Sequence, residues 1–201
     1  MRKFAACALA LSLAGVPAIT QAQAADPAAA QIQRFDDALL ETMKQAGHLG
    51  PQGRYQKLDP VLAANFDLPT MTRFAVGTTW STLSPTDQAA LVRAFRRMTV
   101  ATYAHNFDGY NNQRFTIEPN VETRGPDKLV KTHLVSPKET TDLTYRMRQS
   151  GGTWKVIDVY YNGAVSSMLG QRSEYASTLR TGGAAALVKK LNAQADDLLA
   201  K

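Results

Sequence analysis

An α+β fold, a curved antiparallel sheet partly wrapped by helices, is what this sequence predicts, and three observations carry the expectation. Apolar residues recur at helical spacing from Pro27 to Asn106, they alternate from Phe115 to Tyr161, and helical spacing returns after Ala164. The order of helices, consecutive strands and helices again is not the alternation of a parallel α/β sheet. A curved sheet under covering helices can enclose a cone-shaped apolar pocket.

Asp26-Pro27 marks the first helix start, an N-cap acceptor followed by proline, and Ile32, Phe35, Leu39 and Met43 keep one face apolar to about Lys44. Gly47, Gly50, Pro51 and Gly53 end that helix, and a short one is expected from about Tyr55 to Ala64. Phe66-Asp67-Leu68-Pro69 reads as a boundary and restart, with Met71, Phe74 and Ala75 on the buried side and Gly77 closing the segment. Ser84 caps and Pro85 opens the best-marked helix, which runs to about Asn106. Leu91, Phe95, Met98, Thr102 and His105 fall on one side of it, and Arg93, Arg96 and Arg97 fall opposite.

Beyond Tyr110-Asn111-Asn112 the period shortens to two, beginning with Phe115 and Ile117. Val130, Thr132 and Leu134 share a face, while Leu143, Tyr145 and Met147 alternate with Asp142, Thr144, Arg146 and Arg148, the pattern of an antiparallel strand with one wet side. Gln149-Ser150-Gly151-Gly152 is a turn. Both alternating sets are largely apolar from Trp154 to Tyr161, which predicts a central strand covered on both faces. Two helices, about Ala164 to Leu179 and Ala184 to Leu199, are split by Thr181-Gly182-Gly183.

The first residues stand apart. Arg2 and Lys3, the apolar run Phe4 to Val16 and the small-residue string Ala22-Gln23-Ala24 predict a signal peptide, residues 1–24, cut after Ala24. Cys7, the single cysteine, leaves with it, so stability in the remaining domain, residues 25–201, rests on apolar burial and hydrogen bonds. Losing Arg2 and Lys3 takes the basic count from 23 to 21 against 17 acids, an excess too small and too scattered for a nucleic-acid partner. No later stretch approaches the roughly 20 apolar residues of a membrane span.

Catalytic and metal chemistry leave little trace. His48, His105 and His133 lack metal-ligand spacing, no glycine loop is placed to cradle a phosphate, and no serine sits in a nucleophile elbow, so neither metal nor cofactor is expected. His105 is expected in the core, hydrogen-bonded to a neighbour. Asp158 beside Tyr160 and Tyr161 can form either an acid/base pocket of the kind small isomerases use or a structural pair, and the pair is favoured.

The string Trp154-Lys155-Val156-Ile157-Asp158-Val159, then Gly163, Ser166, Gln171-Arg172-Ser173-Glu174-Tyr175, Leu179, Gly182-Gly183, Leu187 and Leu191 resembles the signature of the MlaC-type periplasmic lipid-shuttle family. The helix start Ser84-Pro85-Thr86, with Leu91, Phe95 and Tyr103 behind it, is similar to the same family, so the resemblance spans nearly all of the chain after the leader. The interval from Gly163 to Arg172 and the string Gln-Arg-Ser-Glu-Tyr look more like its hopanoid-associated HpnM branch. The resemblance implies an NTF2-like sheet with a helical subdomain, no covalent chemistry, and a soluble carrier. Such a carrier takes a phospholipid or hopanoid into its interior and passes it between an inner-membrane transporter complex and another membrane, where an outer-membrane complex is the second partner implied.

For that role the expected lining is Phe66, Leu68, Met71 and Phe74 from the short helices and Phe95, Met98 and Thr102 from the long one. Leu134, Leu143, Tyr145, Val159 and Tyr161 complete it from the sheet. Each buried methylene gains about 0.8 kcal/mol, so such a pocket holds a lipid without a charged clamp. Arg172, expected on an apolar stripe with Val165, Leu169, Ala176 and Leu179, needs a partner, either Asp158 or a lipid head group at the pocket mouth. Arg93, Arg96 and Arg97 form either a solvated face or a dock for an acidic partner. Two rival functions stay open: an isomerase-like enzyme using Asp158, Tyr161 or His105, and a secreted adaptor that binds no ligand.

Overall fold

A computed structural model describes residues 26–163 and 165–200. The predicted leader lies outside them. Helix α1 spans Pro27–Lys44, and Asp26 caps it by accepting a hydrogen bond from the Ala28 amide. Helix α2, Ala46–Asn65, breaks at Gly50 and resumes at Pro51, a residue that suits a first turn. It therefore starts earlier than the glycine-rich stretch predicted. Arg54, nearly buried, explains how this elbow is tolerated: its guanidinium donates to the Ala46 carbonyl at 3.3 Å and the Ala104 carbonyl at 2.6 Å.

Helix α3 covers Leu68–Val76, capped by Asp67, and an unpredicted 3-10 turn, Gly77–Thr82, leads to α4 at Pro85–Asn106. Ser84 caps α4 by accepting from the Asp87 amide. More of α4 is covered than a single stripe, because Val100, Ala101 and Ala104 are buried as fully as Leu91 and Phe95. It packs against α2, α3 and the last helix. That helix, α5, runs Ser167–Leu199 and is broken at Gly183, where φ is +64°, a conformation that favours glycine. The predicted split is thus present, while the predicted start at Ala164 gives way to a two-residue strand.

The strands are β1 (Arg114–Ile117), β2 (Glu122–Arg124), β3 (Asp127–Val135), β4 (Thr140–Ser150), β5 (Thr153–Tyr161) and β6 (Val165–Ser166). All pair antiparallel in the order β1-β3-β4-β5-β6, and β2 shares the β1 side of β3. Register places Val130, Tyr145 and Val159 abreast, with Thr132, Leu143 and Tyr161 beside them, so the predicted apolar alternation is the helix-facing side. On the opposite side Asp127 is gripped by Arg146 and Arg148, each with a contact of 2.5 Å. Burial pushes the Asp127 carboxyl up, but the hydrogen bonds from Arg148 and Arg146 outweigh it and hold the pKa below the ordinary range.

Strand β5 lies one place from the border rather than at the centre. Phe66 forms a parallel bridge with Val156, the Asp67 amide donates to the Val156 carbonyl at 2.9 Å, and β6 covers the far half of the same edge. A register shift between Arg146 and Met147 leaves Ile157 as the extra residue of a bulge. No helix among the described residues is long and apolar enough to cross a membrane.

Replacing Arg54 with methionine keeps the volume and strands two buried helix-end carbonyls. The expected loss is about 2–4 kcal/mol of unfolding free energy in urea titration, with α-helical circular dichroism retained before the transition.

Candidate functional site

Between the sheet and the helices lies an aromatic assembly centred on Phe35 of α1, which is wholly buried. Its ring meets Phe66, Tyr103 and Tyr145 edge-on, with centroids at 5.1, 5.8 and 6.1 Å. Tyr103 stacks on Phe107 at 5.6 Å, and Phe107 reaches Phe115 of β1. The arrangement joins α1, the end of α2, α4 and β4 at one place.

Next to Phe35 sits Asp36, which is also fully enclosed, and both of its carboxyl oxygens lack a hydrogen-bond partner. Burial pushes this carboxyl up to about 8, and the charge of Asp37 adds to the rise. Burial also holds the Tyr103 and Tyr145 hydroxyls well above the usual phenol range, with Asp36 among the charges they face. Asp36 was missed in the sequence because Asp36-Asp37 reads as a solvated pair. The signal was its place four residues after Ile32 and three before Leu39, inside the apolar stripe.

The predicted lining residues divide among several places. Phe66, Leu68, Met71, Phe95, Met98, Leu143, Tyr145 and Val159 belong to one continuous apolar core. Met98 and Thr102 also border a cleft of about 310 Å³ shared with Gln171 and Tyr175, and Leu143 borders one of about 380 Å³ on the charged side of the sheet. Leu134 is only half-buried, and Tyr161, the last residue of β5, is 44% exposed. Burial nonetheless raises the pKa of the Tyr161 hydroxyl. His105 is half-buried rather than in the core, since the enclosed faces of α4 pass through Val100, Ala101 and Ala104.

Phe74 and Arg172 meet in a different cleft, of about 560 Å³, between α3, β5 and the start of α5. Arg73, Arg146, Asp158, Met168 and Leu169 share its walls. Arg172 is not on a buried stripe: it is exposed, and so are Val165 and Leu169, each at 64%. Nor does it pair with Asp158. That carboxylate accepts from the Ser166 hydroxyl at 2.5 Å, the Val159 amide at 2.8 Å and the Met168 amide at 3.2 Å, so it serves to fasten α5 to the sheet. Among the described residues, no carboxylate lies within salt-bridge range of Arg73 or Arg172.

The guanidinium of Arg172 instead lies over Gly77, where φ is +71° and a Cβ would stand 2.5 Å from Nε. The register puts Asp158 beside Arg146 and Tyr161 beside Leu143, on opposite faces of the sheet, whereas Tyr160 keeps the Asp158 face and shares its cleft. The basic face of α4 is largely used internally. Arg96 binds both oxygens of Asp59 at 2.7 Å, Arg97 pairs with Asp196 at 2.6 Å, and Arg93 alone of the three is exposed. Described residues hold no group of three acids, histidines or cysteines fit for a metal.

The sequence model described as MlaC protein matches residues 33–193. This chain belongs to the MlaC family. Among solved structures it is similar to a phospholipid-binding protein from Ralstonia solanacearum in complex with a phospholipid, at 25% identity and a TM-score of 0.76, over 88% of this chain and all of the other. No curated protein matches it by sequence. Within this MlaC-family fold, Phe35 and Asp36 lie inside the matched span, as do Arg73 and Arg172.

Two predictions follow from this geometry. Asp36 carries a raised native pKa, so its contribution to stability is complete below about pH 4 and is lost as pH rises toward about 8. Unfolding free energy is expected to fall by roughly 1.4 kcal/mol per pH unit across that interval, and Asp36→Asn removes this slope in chemical denaturation run at several pH values. Gly77→Ala forces a side chain into a left-handed backbone and against Arg172, with an expected loss of about 1–2 kcal/mol in a thermal or urea melt.

Proposed function

We propose that this chain is a periplasmic lipid carrier without catalytic activity, exported after removal of residues 1–24, which takes the apolar body of a lipid between its sheet and helices. One observation carries the reading: the fold matches, over nearly the whole chain, a protein whose structure contains a bound phospholipid. The interior of this chain supports it physically. Met71, Met98, Met147 and Met168 lie in its core, and unbranched methionine side chains change rotamer and repack at low cost when a ligand enters. The carrier exchanges its cargo with an inner-membrane transporter complex and with an outer-membrane acceptor. Because the lipid moves from one apolar medium to another, the net free energy is small, and that suits reversible loading.

The Arg73–Arg172 cleft is the head-group end of the same site. Both guanidiniums are without carboxylate partners, and Phe74 and Met168 connect the cleft to the core. A phosphate with hydrocarbon attached matches that combination of charge and apolar wall. The interval from Gly163 to Arg172 favours a hopanoid as the cargo of the HpnM-like branch, and the extraction below distinguishes the two.

Protein purified from the periplasm of a hopanoid-producing host is expected to carry about one lipid per chain in native mass spectrometry, identified after organic extraction. An empty extraction from freshly purified, folded protein overturns the carrier reading. Arg73→Ala combined with Arg172→Ala is expected to lower loading of an anionic phospholipid by about tenfold, with the melting temperature unchanged because neither side chain is buried or ion-paired.

A further inference from the structure

A native interior rarely leaves a carboxyl group without any partner, because each unmet oxygen forfeits the hydrogen bonds it made in water. Asp36 leaves two unmet, on a residue with no exposed surface. The groups that face it are identifiable. Asp37 is its neighbour on α1, already receives the Gln33 amide and points to solvent; Tyr103 approaches from α4 and Tyr145 from β4. Among the described residues no arginine, lysine or histidine nitrogen lies within salt-bridge range, and no second and third acid join it to make a cation site. An ion pair and a metal are therefore both without support as the missing partner.

Tyr103 and Tyr145 pack their rings on Phe35, the residue before Asp36, so two phenol side chains lie close to the enclosed carboxyl on the apolar side of the sheet. We propose that Asp36 is a polar anchor for the cargo, hydrogen-bonding a neutral oxygen group of the lipid, a hydroxyl above all, at the inner end of its site. The inference rests on the carrier reading and adds the ligand class to it. A protonated carboxyl both donates and accepts, as does a hydroxyl, so the two satisfy each other completely. At neutral pH burial keeps Asp36 in that protonated form. An anionic group has no reason to enter here, since the unpaired guanidiniums lie elsewhere, at the Arg172 cleft. The molecule thus offers separate places to a charged and to an uncharged oxygen function.

The test uses the full chain without its leader, delipidated, with 1-dodecanol and n-dodecane as probes, read by native mass spectrometry and by the ¹³C carboxyl signal of Asp36. Wild-type protein is expected to take both probes, and the carboxyl signal to move with dodecanol only. Asp36→Leu is expected to weaken dodecanol about tenfold and to leave dodecane within about threefold, while Asp36→Asn, which still donates and accepts, keeps both within about threefold. A thermal melt verifies the fold of each variant, and removal of an unmet acid is expected to raise the melting temperature of Asp36→Leu. Equal retention of both probes by Asp36→Leu overturns the anchor, and so does a carboxyl signal unmoved by dodecanol. Failure of the wild type to take dodecane overturns the carrier reading itself, a result distinct from either.

Discussion

The edge-to-face contacts that Phe35 makes with Phe66, Tyr103 and Tyr145 tie this structure together, because through them the first helix, the exit from the second, the long fourth helix and the middle of the sheet all touch. An aromatic pair of this kind is worth about 0.5–1.5 kcal/mol beyond the area it buries. Its greater importance is geometric. With Phe35 in position, α1 lies across the concave side of the sheet, and Asp36, one residue on, is carried into the interior whatever its solvation cost. The fold and the least comfortable residue in it thus have a common cause.

The two faces of the sheet divide the protein's work. The helix-facing side is apolar and packs against the core that holds Met71, Met98, Met147 and Met168. The opposite side is charged and rigid: Asp127 fixes Arg146 and Arg148, and His133 bridges Glu118 and Asp142 at 3.3 and 2.7 Å. Asp158 contributes from the charged side, where the hydrogen bonds it accepts from Ser166 and Met168 set the origin of α5 and so the position of Arg172.

Much of this was legible in the residues and the remainder was not, for definite reasons. Period two across Leu143, Tyr145 and Met147 gave the inner face of β4, and Gly182-Gly183 gave the break in α5, because both signals are local. The strand β6 escaped notice because two residues carry no period, and the early start of α2 was hidden because Arg54, fifty residues from Ala104 in sequence, supplies the hydrogen bonds that make the elbow possible. Periodicity placed Phe66, Leu68, Met71, Phe95 and Tyr145 on buried faces without deciding which of them meet a ligand. Arg172 was placed on a buried stripe because Val165 and Leu169 resemble core residues, yet both stand in solvent at the origin of α5. Asp36 lay in plain view at a stripe position, and only its acidic neighbour disguised it.

The borders of the sheet bear on how this chain behaves in a crowd of its own copies. On the β5 side the free row of amides and carbonyls is taken up by Phe66-Asp67 and by β6, and on the other side β1 and β2 are interrupted by a segment that contains Pro119. Neither rim presents an unbroken template for another strand. Strand-to-strand addition of one copy to another, the first step toward a fibre, is thereby denied a start at either rim.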